Sequence, residues 1–218
     1  MPDPAVRCFP HKNIRLHSLR YVGRASHFIT ICCEERRPLL KNAARAIGLI
    51  EILQGKSTAH RFSVHAYCVM PDHIHMLVSG LEDRSDLLAF VKDFKREAQW
   101  QFPPEKKRKA PTEKRAQTPR ATVAATKPAV WQKKFYDHIL RQTDKMNAVA
   151  GYIWTNPVRA GLCVDPREYP YSGSLVTDWK NIIRPLESWV PQWKKSPMRT
   201  NEQTEHARQE PPKNPARR

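Results

Sequence analysis

The sequence predicts an α+β protein, a single antiparallel sheet with helices packed on it. Three observations carry that expectation. Two apolar runs, 62–70 and 73–79, are separated by Pro71-Asp72 alone, and a proline at the second position of a tight turn between such runs marks a hairpin. The segments 42–56 and 84–102 bring apolar residues back at helical spacing. The resulting order, β, α, β, β, α, β, α, is that of a split βαβ unit with a hairpin at its centre.

Ser26-His-Phe-Ile-Thr-Ile-Cys-Cys33 is short, β-branched and aromatic, and it ends at the charged turn Glu34-Glu-Arg-Arg-Pro38, so it reads as the first strand. Residues 42–56 follow as an amphipathic helix through Ile47, Ile50 and Leu53. The hairpin comes next, then a second helix over 84–102 built on Leu87, Leu88, Val91, Phe94 and Ala98. The helical period stops at Pro103. From 103 to 130 the chain is rich in Pro, Lys, Arg, Ala and Thr, a composition that buries too little apolar surface to offset its ordering entropy, so a disordered basic insertion is expected. Trp131-Gln-Lys-Lys-Phe-Tyr-Asp-His-Ile-Leu-Arg141 resumes order as a last strand with its approach. A helix from about Thr143, as N-cap, to Asn156 is then ended by Pro157.

The expected domain plan is an N-terminal extension over 1–20, one domain over 21–175 carrying the 103–130 insertion, a tryptophan-rich coda at 176–193, and a flexible basic tail at 194–218. Lys and Arg number 38 against 21 Asp and Glu, giving +17 and a pI near 10.0. That balance favours polyanionic partners, nucleic acid first. The five cysteines form no Cys-x-x-Cys pair and read as reduced thiols. No apolar run reaches the roughly 18 residues of a membrane span, so no membrane partner is expected, and a cytoplasmic location is.

In Tyr67-Cys-Val-Met-Pro-Asp-His-Ile-His-Met-Leu-Val-Ser-Gly80, alternation along a strand points His73 and His75 the same way. Two neutral imidazoles so placed can hold a divalent metal if a third ligand arrives from elsewhere. They can equally be a turn residue and a satisfied core group. Tyr152 and Asn156, four apart, put a phenol and an amide on one helical face about 6 Å apart along the axis. A tyrosine oxygen attacks only once its proton is removed or its phenolate stabilised, and a nearby metal and basic surface would do both. Asn156 offers an amide oxygen to a metal shell. The plainer alternative makes Tyr152 a core aromatic and Asn156 a helix-end residue.

Pro71-Asp-His-Ile-His-Met-Leu77, Phe135-Tyr-Asp-His-Ile-Leu-Arg141, Tyr152-Ile-Trp-Thr-Asn-Pro-Val-Arg-Ala-Gly-Leu162 and Tyr169-Pro-Tyr-Ser172 together resemble the REP-associated tyrosine transposases. These are single-tyrosine relatives of the insertion-sequence transposases within the HUH (His-hydrophobic-His) endonucleases. The resemblance spans roughly residues 20–175 and implies a ferredoxin-like fold of the HUH type. It also implies His73 and His75 as the metal pair, Asn156 as third ligand, Tyr152 as nucleophile, and Mg²⁺ or Mn²⁺ as the ion, where two imidazoles alone would suggest Zn²⁺. The implied activity is cleavage and rejoining of single-stranded DNA at a short imperfect hairpin through a 5′-phosphotyrosine link, on the bacterial nucleoid, by a monomer or homodimer. Tyr136 is the rival nucleophile, set lower because Tyr152 shares a helical face with a candidate ligand.

Candidate DNA contacts are Lys92, Lys95 and Arg96 on the second helix, Lys133, Lys134, His138 and Arg141 around the last strand, and Arg159 past the tyrosine helix. Trp131 and Trp154 are candidate platforms for stacked bases. A competing reading is a non-catalytic basic nucleic-acid-binding protein with structural histidines. A zinc deaminase is excluded because its His-x-Glu and Pro-Cys-x-x-Cys motifs are missing, and Cys68 lies in an apolar strand where a thiolate is disfavoured.

Overall fold

The computed structural model describes residues 21–102, 129–141 and 144–183. Five antiparallel strands form one sheet in the order β4-β1-β3-β2-β5, where β1 is Ser26–Cys32, β2 Phe62–Met70, β3 His73–Gly80, β4 Tyr136–Ile139 and β5 Ser172–Gly173. The helices are α1 (Ala43–Ala59), α2 (Leu87–Gln101), α3 (Met146–Trp154) and the short α4 (Asn156–Arg159) and α5 (Trp179–Ile182). β3 lies between β1 and β2, with the pairs Thr30 to His75 and Cys68 to His75 on either side. The α+β, split βαβ architecture expected from the sequence is present, with β5 added at the far edge.

Alternation divides the strands between two faces. Ile29 and Ile31 of β1 and Ile74, Met76 and Val78 of β3 are fully buried in one core with Leu49 and Leu53 of α1 and Phe90 and Phe94 of α2. In β2 the pairing skips from Val64 to Ala66; the extra residue, His65, shifts the alternation so that Val64, Tyr67 and Val69 all join that core. Each helix has its own starting device. The Asn42 side chain accepts from the Arg45 amide at the head of α1, and Asp86 accepts from Leu88 and Ala89 at the head of α2, satisfying donors that a first turn leaves open.

Several sequence expectations shift. α1 runs on to Ala59; of its expected apolar positions Leu53 is fully buried and Ile50 packs against the core, but Ile47 is 51% exposed, and Ala46, Leu49 and Ile52 complete the buried stripe. α2 starts at Leu87, where Asp86 caps it. Pro157 both closes α3 and opens α4, since a first helical turn needs no amide hydrogen from it. The expected cap Thr143 lies outside the described residues, and the N-cap is Lys145. The expected insertion ends before 129: Val130 is buried, its N–H donates to Gln99 Oε1, and its carbonyl accepts from Glu34. The expectations for 1–20, 103–128 and 184–218, including Trp189 and Trp193, lie outside the described residues. Trp179 is buried against Trp154, ring centres 5.3 Å apart. β5 had no sequence signal, being two residues long; a Cβ on Gly173 would stand 2.3 Å from the Tyr67 hydroxyl, so that edge closes only around a glycine.

Candidate active site

His73 and His75 leave β3 on the face opposite the apolar core, where β1 contributes Phe28 and Thr30 and β2 contributes Cys68. Their Nε2 atoms lie 3.0 Å apart. Both outer nitrogens are engaged: His73 Nδ1 meets Asp72 Oδ1 at 2.5 Å, and His75 Nδ1 meets Thr30 Oγ1 at 2.8 Å. Burial works to raise the Asp72 pKa, but the hydrogen bond from His73 and the charges of His73 and Arg36 hold it below the ordinary carboxylate value. An ionised carboxylate only accepts, so His73 Nδ1 carries a proton and donates to it. The Thr30 hydroxyl can accept from or donate to His75 Nδ1, and the two Nε2 atoms that face one another repel unless a proton or a cation lies between them.

Those features fit a metal. Two donors at about 2.1 Å from an ion and at right angles lie about 3.0 Å apart, which is the spacing of this pair, and ring nitrogens backed by a carboxylate and a hydroxyl are the usual outer support of metal-bound imidazoles. Among the described residues no three His, Cys, Asp or Glu side chains converge on one point, which leaves amide and carbonyl oxygens as the described candidates for a third ligand. The support extends outward: Arg36 Nε holds the other Asp72 oxygen at 2.8 Å, and Arg36 Nη1 reaches Cys32 Sγ at 2.9 Å. Arg36 does so from a turn in which Glu35 and Arg36 both take positive φ, 55° and 54°, each costing on the order of 1–3 kcal/mol.

Tyr152 comes to this face on α3. Its ring centre is 6.3 Å from that of His75 and 6.1 Å from that of Phe28, and the residue is 5% exposed. Asn156 is also buried, and its Nδ2 donates to the carbonyl oxygens of Tyr152 at 2.9 Å and Ile153 at 3.4 Å. That use of the amide nitrogen turns Oδ1 away from the helix carbonyls. Arg159 lies with its guanidinium carbon 4.1 Å from the centre of the Tyr152 ring. The structure thus brings Tyr152, with Arg159 on its ring and Asn156 on its carbonyl, to the face of the sheet that carries His73 and His75.

Tyr136 belongs to the same aromatic group, 6.2 Å from Phe28 and paired with Thr30. Burial, then the charges of Asp137 and Tyr152, pushes its pKa well up and keeps the phenol protonated. Cys68 faces His75 across the strands, but burial raises its thiol to about 12, so it is inert at neutral pH.

The proposed DNA contacts divide into separate groups. Lys95 and Arg96 ride on α2, on the other side of the sheet. Lys95 Nζ is committed to the carbonyls of Gln132 and Lys133, and Arg96 pairs with Asp93 at 3.1 Å. Lys92, Lys133, Lys134 and Arg141 are exposed, and His138 on β4 meets Asp144 at 3.1 Å. Trp131 and Trp154 cannot receive bases as they stand: both are buried, and the Trp154 indole donates to the Gly173 carbonyl. Trp100, at 80% exposure, is an exposed aromatic that the sequence pattern does not single out. Thr30, Asp72 and Arg36 were also passed over. Asp72 stood beside His73 and was read as a turn residue; Thr30 has no signal until strand register is known.

The family model described as "Transposase IS200 like" matches residues 22–156, more than half of the chain. The chain belongs to that family. Among family proteins, it is 30% identical over 128 residues to a candidate REP-associated tyrosine transposase of Haemophilus influenzae, covering 59% of this chain and 66% of that one. It is 23% identical over 152 residues to a REP-associated tyrosine transposase of Escherichia coli, covering 70% of this chain and 78% of the other. A solved REP-associated tyrosine transposase bound to a REP hairpin superposes with a TM-score of 0.59 at 19% identity, over 83% of this chain and 92% of that one; that likeness establishes the shared fold.

Proposed function

We propose that this transposase-family chain is a metal-dependent endonuclease and strand transferase for single-stranded DNA, working at or near a hairpin. The observation that carries the reading is the Tyr152 ring 6.3 Å from His75, whose Nε2 is 3.0 Å from that of His73. His73, His75 and Asn156 would hold Mg²⁺ or Mn²⁺, which when bound polarises a phosphate oxygen at the cleaved bond. Tyr152 gives up its proton and attacks phosphorus in line; its oxygen bonds to phosphorus as the bond to the 3′ oxygen breaks, and that oxygen takes a proton. A 5′-phosphotyrosine link and a 3′-hydroxyl result. The reverse step with another 3′-hydroxyl rejoins strands without a further energy source.

The site's own residues do the preparatory work. Asp72 and Thr30 orient the imidazoles, the Phe28 ring stacks on His75, and Asn156 donates to the Tyr152 carbonyl at the end of α3. The solved relative binds a REP hairpin, and the +17 charge of this chain suits a folded polyanion. No helix among the described residues is long and apolar enough to cross a membrane, and the reading places the protein at the bacterial nucleoid.

The test incubates the full chain with single-stranded hairpin DNA and Mn²⁺ or Mg²⁺ and follows a denaturant-resistant protein–DNA band. The band is expected with the native chain and with Tyr136→Phe, and is expected to vanish in Tyr152→Phe and with EDTA. DNA binding without any band would favour a non-catalytic binding protein instead.

A further inference from the structure

Resting on the reading of Tyr152 as nucleophile, we propose that Arg159 is its positioning residue, and not one of the DNA contacts that its charge suggests. Pro157 has no amide hydrogen to offer the Ile153 carbonyl four residues back, so the helical ladder is interrupted there, and Asn156 Nδ2 reaches that carbonyl at 3.4 Å. Side chains also gather on the carbonyl before it. The Tyr152 carbonyl accepts from Asn156 Nδ2 at 2.9 Å and from Arg159 Nη2. Arg159 Nη1 also donates to Thr155 Oγ1 at 2.7 Å, and that hydroxyl donates onward to the Gly151 carbonyl at 2.8 Å. The guanidinium that closes this cage is the one lying on the Tyr152 ring at 4.1 Å.

One side chain therefore grips both ends of the nucleophile, its main-chain carbonyl and its aromatic ring. A guanidinium suits both tasks because it is flat, carries five donors in its plane and stacks through its face, whereas an ammonium is a point charge. The Tyr152 ring sits in the last turn of α3 between Phe28 and His75; the grip fixes its orientation from the third side, toward His75. Interactions that fix geometry act on the rate of the chemical step, and a misplacement of about 1 Å costs about 100-fold.

The experiment compares the full native chain with Arg159→Lys and Arg159→Met on hairpin-bearing single-stranded DNA. Single-turnover adduct formation with Mn²⁺ is measured beside affinity by fluorescence anisotropy in EDTA. Both variants are expected to form adduct about 10- to 100-fold more slowly, with affinity within about 2-fold, and Lys does not rescue although it keeps the charge. A loss confined to affinity, an unchanged rate, or full rescue by Lys overturns the assignment. If Arg159→Met fails to fold, Thr155→Val carries the comparison, since it keeps the guanidinium and removes its brace; an unchanged rate there counts against the grip. Ring-labelled tyrosine NMR, with Tyr152 assigned through Tyr152→Phe, reads the grip without catalysis: Arg159→Lys must shift the Tyr152 ring signals. Should the native chain form no adduct, the nucleophile reading falls while that spectrum still decides the grip.

Discussion

On the α1/α2 side of the sheet, β1 and β3 present Ile29, Ile31, Ile74, Met76 and Val78; on the α3 side the intervening positions are Phe28, Thr30, His73 and His75. The same two strands thus supply a dry core with one set of residues and a polar cluster with the other. The contrast is sharpest between histidines. His27, on the dry side, stacks on Tyr21, and its Nδ1 has no hydrogen-bond partner among the described residues. His75, one strand away on the opposite face, has Thr30 behind one nitrogen and His73 before the other. A period of two lets rigidity and chemistry be built from neighbouring residues, because a well-packed face holds its reverse side in register.

Emptying the dry face tests that division most severely. Phe94→Ala, at a fully buried position, should lower stability by about 3–5 kcal/mol in urea unfolding, while the surviving folded fraction, at low temperature, forms adduct at the native rate. A lower rate per folded molecule would show that the faces are not independent.

Next comes the lone imidazole. Burial lowers the His27 pKa from 6.5 to about 4, so the folded state favours the neutral ring. Between those values the unfolded chain binds the extra proton; stability is complete above about pH 6.5 and falls by up to about 3 kcal/mol as the pH approaches 4. Unfolding curves across that range should show the slope, and His27→Phe should flatten it. A slope that survives the substitution would assign it to other groups.

On the polar face, Asp72→Ala removes the acceptor that sets the His73 tautomer. Mn²⁺ affinity by calorimetry should fall by about 10- to 100-fold, with a smaller change in melting temperature than Phe94→Ala produces. Native affinity would make Asp72 a turn residue, as its place after Pro71 first suggested. The smallest effect belongs outside both faces: Trp100→Ala, at an exposed position, should change stability by less than about 0.5 kcal/mol. Any measurable loss of DNA affinity there would extend the nucleic-acid surface to α2.

The hairpin was legible to the residue at most of its boundaries, because Pro71-Asp72 and the apolar runs around it are strong local signals. The adjacency of His73 and His75 on one face followed from period two alone. The buried stripe of α1 was only partly legible, since Ile47 is as apolar as the residues that are buried, and the sheet beneath decides which of them faces inward. Trp131 and Trp154 misled for the converse reason: an indole beside basic residues looks like a stacking platform until the fold buries it.

Local chemistry in the chain was enough to specify the strand pairing at the hairpin, the paired imidazoles, and the positions of Tyr152 and Asn156 one helical turn apart, because each depends on residues near in sequence. Contacts between distant segments decided the rest. Thr30 behind His75 is a matter of register across 45 residues, Arg36 on Asp72 depends on a turn with positive φ, and Arg159 on the Tyr152 ring depends on how the chain bends where Pro157 withholds its hydrogen bond. Such groups are placed by packing, and packing is a property of the whole sheet.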